Sequence, residues 1–162
     1  MSVQKIQANR ALKVIPSDFC DVPYPNVAQE GTNTTAVAPN VLIDINATFI
    51  TNNVAVGDIV YNTTSNLAAT VEIVASETSL TLNDNIFLSV GDSYIIYHAS
   101  PQTVIGNRGC TLYIGGFGSA EVTTTDGDVV VFEGLNTGQF VPVQVLKVGQ
   151  SLTTATNIIA LW

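Results

Sequence analysis

Apolar and polar side chains alternate at every second residue through nearly all of this chain, and no useful stretch places apolar residues at helical spacing. Successive side chains of a strand leave on opposite faces, so period two suits a pleated sheet with one covered face; a helix needs a stripe at about 3.6-residue spacing. The runs "GDIVYNTT" (57–64), "ATVEIVAS" (69–76), "SLTLND" (79–84) and "SYIIYHA" (93–99) read as strands. So do "CTLYIGG" (110–116), "AEVTTT" (120–125), "DVVVFEG" (128–134), "FVPVQVLKV" (140–148) and "TNIIALW" (156–162). Clusters of Gly, Asn, Asp and Ser separate them at short intervals, as turns require. Asp126-Gly127 marks a hairpin, for which a type I′ turn would need φ > 0 at both central positions. Asn136-Thr137-Gly138 reads as a second, slightly longer turn. The chain is predicted to be all-β.

Two shifts in composition divide the sequence. Four of the six prolines (Pro16, Pro23, Pro25, Pro39) fall within residues 16–40. Proline lacks the amide proton that a central strand donates, so this stretch reads as an extended N-terminal arm. A second seam lies at 98–109, "HASPQTVIGNRG". Between the seams, residues 41–98 carry enough short strands for a small closed β-barrel, which would leave no unpaired sheet edge. The predicted architecture is a jelly-roll-like or sandwich base domain (1–40 plus 99–162) with this small barrel inserted. The arm buries little locally and is expected to lie on a neighbouring subunit, so its removal should leave a folded chain.

Only 11% of the residues are charged, against about 25% in ordinary domains, and the net charge is −8. Low charge with many Thr and Asn suits a subunit that buries surface against partners. The acidic balance argues against nucleic acid, since phosphate binding needs clustered Lys and Arg. Lys5, Arg10 and Lys13 form one short basic cluster near the N-terminus. No apolar leader segment is recognised in the opening residues, and no run approaches the about 18 apolar residues of a membrane span. Cys20 and Cys110 read as buried free thiols, with one disulfide between them as the alternative, and the sequons at Asn33, Asn46 and Asn62 as chance in an Asn/Thr-rich chain.

Candidate chemistry is sparse. The glycines of "GGFG" (115–118) run into a strand, whereas a dinucleotide fingerprint needs a helix N-terminus there; they read as a tight corner. Asp126 and Asp128 straddle a hairpin tip, with Glu133 about 15 Å further along a strand, which is not a calcium loop. Any acid–base or nucleophilic arrangement through histidine would have to use His98, the only one, and no nucleophile elbow accompanies it. No catalytic, metal or cofactor site is expected, and the chain reads as non-enzymatic. What the sequence offers instead is surface: Phe19, Tyr24, Phe117 and Trp162 are the large apolar side chains picked out as an assembly interface.

The C-terminal third resembles the spike-base family of tailed phages and gene-transfer agents. The matching residues are Leu112-Tyr113-Ile114-Gly115-Gly116 with Gly118, Val122-Thr123-Thr124, Gly127-Asp128, Val130, Phe132, Gly134 and Gly138. They continue through Pro142-Val143, Val145, Val148, Thr153-Thr154-Ala155-Thr156, Ile158 and Leu161-Trp162, while "VIPSDF" (14–19) is similar to the family's lead strand. Three features depart from the pattern: Phe117 between the glycines, Leu152 in place of a glycine, and residues 41–98, which have no counterpart in minimal members. The resemblance implies a virion structural protein, a head-spike, decoration or fibre-base component. It would act as a homo-oligomer in contact with capsid, fibre, neck or baseplate proteins, without nucleic acid or membrane. A carbohydrate- or host-surface-binding β module is the alternative, since an Asn/Thr-rich surface suits a glycan.

Overall fold

The computed structural model describes residues 8–36, 38–99 and 109–162, and among them there is no helix. Twelve strands form two six-stranded sheets in which every neighbouring pair is antiparallel. The base sheet runs from edge to edge as β1 (Ala11–Lys13), β12 (Ile159–Leu161), β8 (Cys110–Tyr113), β11 (Phe140–Val148), β9 (Gly118–Thr124) and β10 (Val129–Leu135). The second sheet runs β2 (Val27–Thr32), β7 (Ser93–Tyr97), β4 (Ile59–Asn62), β5 (Leu67–Ser76), β6 (Ser79–Leu82) and β3 (Val41–Ile43). All nine alternating runs form strands; β1, β2 and β3 are additional.

The second sheet curls into a half-barrel. Its outer strands lead to segments that meet at an isolated bridge, Thr35 to Ile43, where the Thr34 amide also donates to the Ile43 carbonyl (2.8 Å). Leu42, Phe49, Leu80, Leu82, Tyr94 and Ile96 fill the curl, all but excluded from solvent. β2 lies within the stretch that proline content marks as an arm, yet it pairs with β7 from Val27–Tyr97 to Thr32–Ser93. Its hydrogen-bonding partners come from a distant part of the chain, which local proline content does not reveal.

The core of the base is Leu112, Ile114, Ala120, Val122, Val141, Val145, Ile158 and Ala160, with Val14 and Val22 added from outside the sheet. Residues 8–26 therefore do not extend away from their own chain. β1 pairs with β12, the Val14 amide donates to the Ile158 carbonyl (2.9 Å), and the Val22 amide donates to that of Leu146 (2.7 Å). Ile15 and Cys20, on the same segment, face the other way and pack with Ile59, Tyr61, Ala68 and Tyr97 of the half-barrel. The Ser17 hydroxyl donates to the Ala68 carbonyl (3.2 Å) and the Asn83 side-chain amide to the Phe19 carbonyl (3.1 Å).

The 124–128 hairpin forms, but as a three-residue connection. The Gly127 amide donates to the Thr124 carbonyl (3.0 Å) and the Thr124 amide to the Asp128 carbonyl (2.9 Å). Only Gly127 takes positive φ (94°), so this is a type I turn followed by a left-handed residue rather than type I′.

Two outcomes follow for the folded state. Removing residues 1–24 takes away β1, Val14 and Val22, so the truncated chain should lose its cooperative thermal transition by circular dichroism; a parent-like melt would refute this account of the segment. Gly118→Ala should cost about 1–3 kcal/mol in denaturant unfolding, because the added methyl would meet the Ala155 main chain.

Candidate functional site

Local chemistry disposes of the titratable groups first. The Asp58 carboxylate is buried and accepts the amides of Ala55 and Ala99 (both 2.9 Å), and its Oδ2 lies 3.2 Å from His98 Nδ1. The pair ties the end of β7 to the turn before β4. Among the described residues no hydroxyl or thiol is hydrogen-bonded to the other ring nitrogen of His98. Cys20 and Cys110 are free and buried. Burial pushes the Cys20 thiol up to about 11, opposed by a hydrogen bond from Ser17, and the Cys110 thiol up to about 12. Both stay protonated near neutrality, the wrong state for a nucleophile. Asp126, Asp128 and Glu133 are exposed, and no group of three or more His, Cys, Asp or Glu suited to a metal occurs among the described residues.

One cleft, about 340 Å³, opens between the base and the half-barrel. Phe19, Cys20, Asp21, Ile59, Thr70 and Lys147 line it. Burial raises the Asp21 carboxyl there, and the nearby Lys147 ammonium opposes the rise. Lys147 is turned to the Asp18 carbonyl (3.4 Å), and the Asp18 carboxylate is held by the Ser151 hydroxyl (2.6 Å) and the Gln150 amide (2.7 Å). The Ser151 hydrogen bond is the largest cause of a lowered Asp18 carboxyl.

The four aromatic side chains singled out by the sequence do not form one patch. Tyr24 and Trp162 meet edge to face with ring centroids 5.5 Å apart, and the Arg10 guanidinium lies 6.0 Å from the Tyr24 ring. That pair is half-buried and closes the end of the base sheet. Phe19 is 55% exposed at the cleft, and Phe117 is 67% exposed at the glycine corner.

The corner is built by close approach of two backbone segments. The Gly116 amide donates to the Thr156 carbonyl (2.8 Å), the Ala155 amide to that of Ser119 (2.9 Å), and the Ser119 hydroxyl to that of Leu152 (2.9 Å). A Cβ at Gly116 would strike the Thr156 hydroxyl, and one at Gly118 the Ala155 main chain. The glycines thus seat the 152–156 segment and leave Phe117 and Leu152 (54%) pointing into solvent. The backbone thus brings the segments that carry these two exposed side chains together.

Sequence reasoning missed a further apolar surface, on β10. Val129, Val130 and Val131 are 63%, 42% and 37% exposed. Three consecutive exposed β-branched residues break period two, and that break was the available signal.

Comparison of the chain with protein-family models, curated proteins and solved structures finds no match in any of the three.

The thiols contribute to the alkaline limit of stability, as do the hydroxyls of Tyr61, Tyr94 and Tyr97, which burial also pushes up. The unfolded chain ionises the thiols near 9.0, while the folded chain holds their protons to about 11 and 12. Folding is therefore favoured in full below about pH 9, and stability should fall as pH rises through the folded values. Urea midpoints measured from neutral pH upward should be level, apart from other groups, and then drop. In the native state, thiol alkylation should be far slower than in denaturant; equal rates would contradict the burial of both.

Proposed function

We propose that this chain is a structural subunit of a tailed-phage-type particle, a head-spike, decoration or fibre-base component that works by assembly rather than by catalysis. The observation that carries this reading is the corner holding Phe117 and Leu152. Large apolar groups are fixed there on a hydrogen-bonded backbone and left in water, the arrangement of a surface made to meet another protein. Rigid anchors lose little conformational freedom on docking.

Two further features support it. The residues that carry the resemblance fall on the base sheet and its turns, whereas residues 41–98, which have no counterpart in the family, all lie within the half-barrel and its loops. The resemblance therefore follows the structural units. The low charge and the many exposed apolar side chains of both units also suit a subunit with several neighbours. In this role the base docks on the shell or on sister copies, and the half-barrel projects or supports a fibre. Many weak contacts at high local concentration then hold without one tight site.

The reading is tested by the native mass of the purified chain and by its incorporation into particles of a host-phage system. Phe117→Ser with Leu152→Ser should reduce incorporation on the order of tenfold, as loss of an interface anchor does, while leaving the thermal transition in place. A parent chain that is monomeric, joins no particle and binds a defined sugar on a glycan array would replace assembly with glycan recognition.

A further inference from the structure

The half-barrel joins its own two edges at Thr35 and Ile43, whereas among the described residues no strand pairs with either outer edge of the base sheet. Open strand edges present unpaired amide and carbonyl groups and are ready to pair with another chain. At β10, the Thr124 amide bonds the Asp128 carbonyl, and Val130 and Phe132 stand opposite Val122 and Ala120. Antiparallel pairing alternates, so the main-chain groups of Asp128, Val130 and Phe132 face β9 while those of Val129 and Val131 face outward. At β1, Arg10 exchanges both bonds with Trp162 (3.2 and 3.0 Å) and the Val14 amide bonds the Ile158 carbonyl. By the same alternation Ala11 and Lys13 face outward. Among the described residues no hydrogen bond occupies these outward groups.

The two edges differ in charge. Asp126, Asp128 and Glu133 are exposed along β10 and its turn, and Arg10 and Lys13 are exposed along β1. Pairing β10 with a second β10 would bring two acidic strands side by side, since Asp128 and Glu133 are exposed on each. Pairing β1 with β1 would oppose cations. Like charges placed opposite each other destabilise a strand pair, and opposite charges support it. Strand direction is compatible with this pairing. Six strands alternate in direction across the base sheet, so β1 and β10 run opposite ways. A copy placed beside the first in the same orientation therefore brings its β1 antiparallel to β10, and the alternation continues without a break.

We propose that the occupant of the β10 edge is the β1 edge of a second copy of this chain, a head-to-tail contact that extends the base sheet from one subunit to the next. The proposal rests on the assembly reading above and names its surface. Because the two edges are different surfaces, the contact is heterologous and closes into a ring when the rotation per subunit permits. Each contact is short, since β1 has three residues, and a closed ring multiplies it.

Charge reversal on one edge at a time tests the pairing, with native mass spectrometry and analytical ultracentrifugation as readouts. Arg10→Glu with Lys13→Glu makes both edges acidic; Asp128→Lys with Glu133→Lys makes both basic. Each variant alone should self-associate about tenfold more weakly than the parent. An equimolar mixture should recover association, because each acidic β1 meets a basic β10 and each basic β1 an acidic β10. All four side chains are exposed, so both variants should keep the parent's thermal transition. Val131→Pro provides a second route, since it removes an amide proton that faces only the neighbour; association should fall with the melt retained. Multimers of parental mass in both reversed variants, or no recovery on mixing, would overturn edge pairing while leaving assembly through the Phe117 corner standing. A parent chain that is monomeric at every concentration and joins no particle would overturn both.

Discussion

The fold depends on one short segment with two apolar faces. Between Leu12 and Val22 the chain runs against both sheets, with Val14 and Val22 in the base core and Ile15 and Cys20 in the cluster shared with the half-barrel. Leu12 touches both clusters. Successive side chains of an extended segment leave on opposite sides, so a single thread can serve two cores. Neither sheet is covered on these faces without it. The Ser17 hydroxyl and the Phe19 carbonyl then fix the spacing between the units through polar bonds to Ala68 and Asn83.

Around that thread the two units handle their edges in opposite ways. The half-barrel bends until the segments beyond β2 and β3 touch, and buried polar groups hold its loops. Asn62 donates to Asp92 and to the Ile86 carbonyl (both 2.8 Å), Asn33 accepts the Asp92 amide (2.7 Å), and the Tyr94 hydroxyl donates to Asp44 (2.8 Å). Each such group would be costly to bury alone and is satisfied here by a partner from a distant loop. The base sheet stays open, with opposite charges on its two sides.

Much of this was legible in the sequence, and the exceptions share a cause. Runs of β-branched and aromatic residues between turn signals located β4 through β12, and several of them, such as β6, β8 and β9, bury every second residue. β2 was hidden because "VAQEGT" is partly exposed on both faces and takes its definition from β7, far along the chain. Residues 16–22 read as part of an arm because the prolines of 16–40 forbid a central strand, although they do not forbid burial. Asp126-Gly127 announced a hairpin correctly, but the loop length that selects the turn depends on the register of β9 against β10. Asn33 and Asn62 read as incidental sequons; their side chains prove to be buried structural ties, visible only once Ser89, Ile86 and Asp92 are brought beside them. Of the candidate surface residues, the exposure of Phe117 follows from the glycines that flank it. The meeting of Tyr24 with Trp162 needed the whole sheet.

The segment "YIGGFGSAEVTTTDGDVVVFEG" (113–134) is thus strand, corner, strand, turn and edge, and the glycines of its corner make room for backbone. A different consequence attaches to where the half-barrel joins the rest. The chain enters it at Asn26 and leaves it at His98, and the His98 amide donates to the Asn26 carbonyl (2.9 Å). Entry and exit are thus hydrogen-bonded neighbours. A replacement domain with adjacent termini would fit the same gap without stretching the base. It would have to offer an apolar patch to Ile15 and Cys20 and hydrogen-bonding partners to the Ser17 hydroxyl and the Phe19 carbonyl.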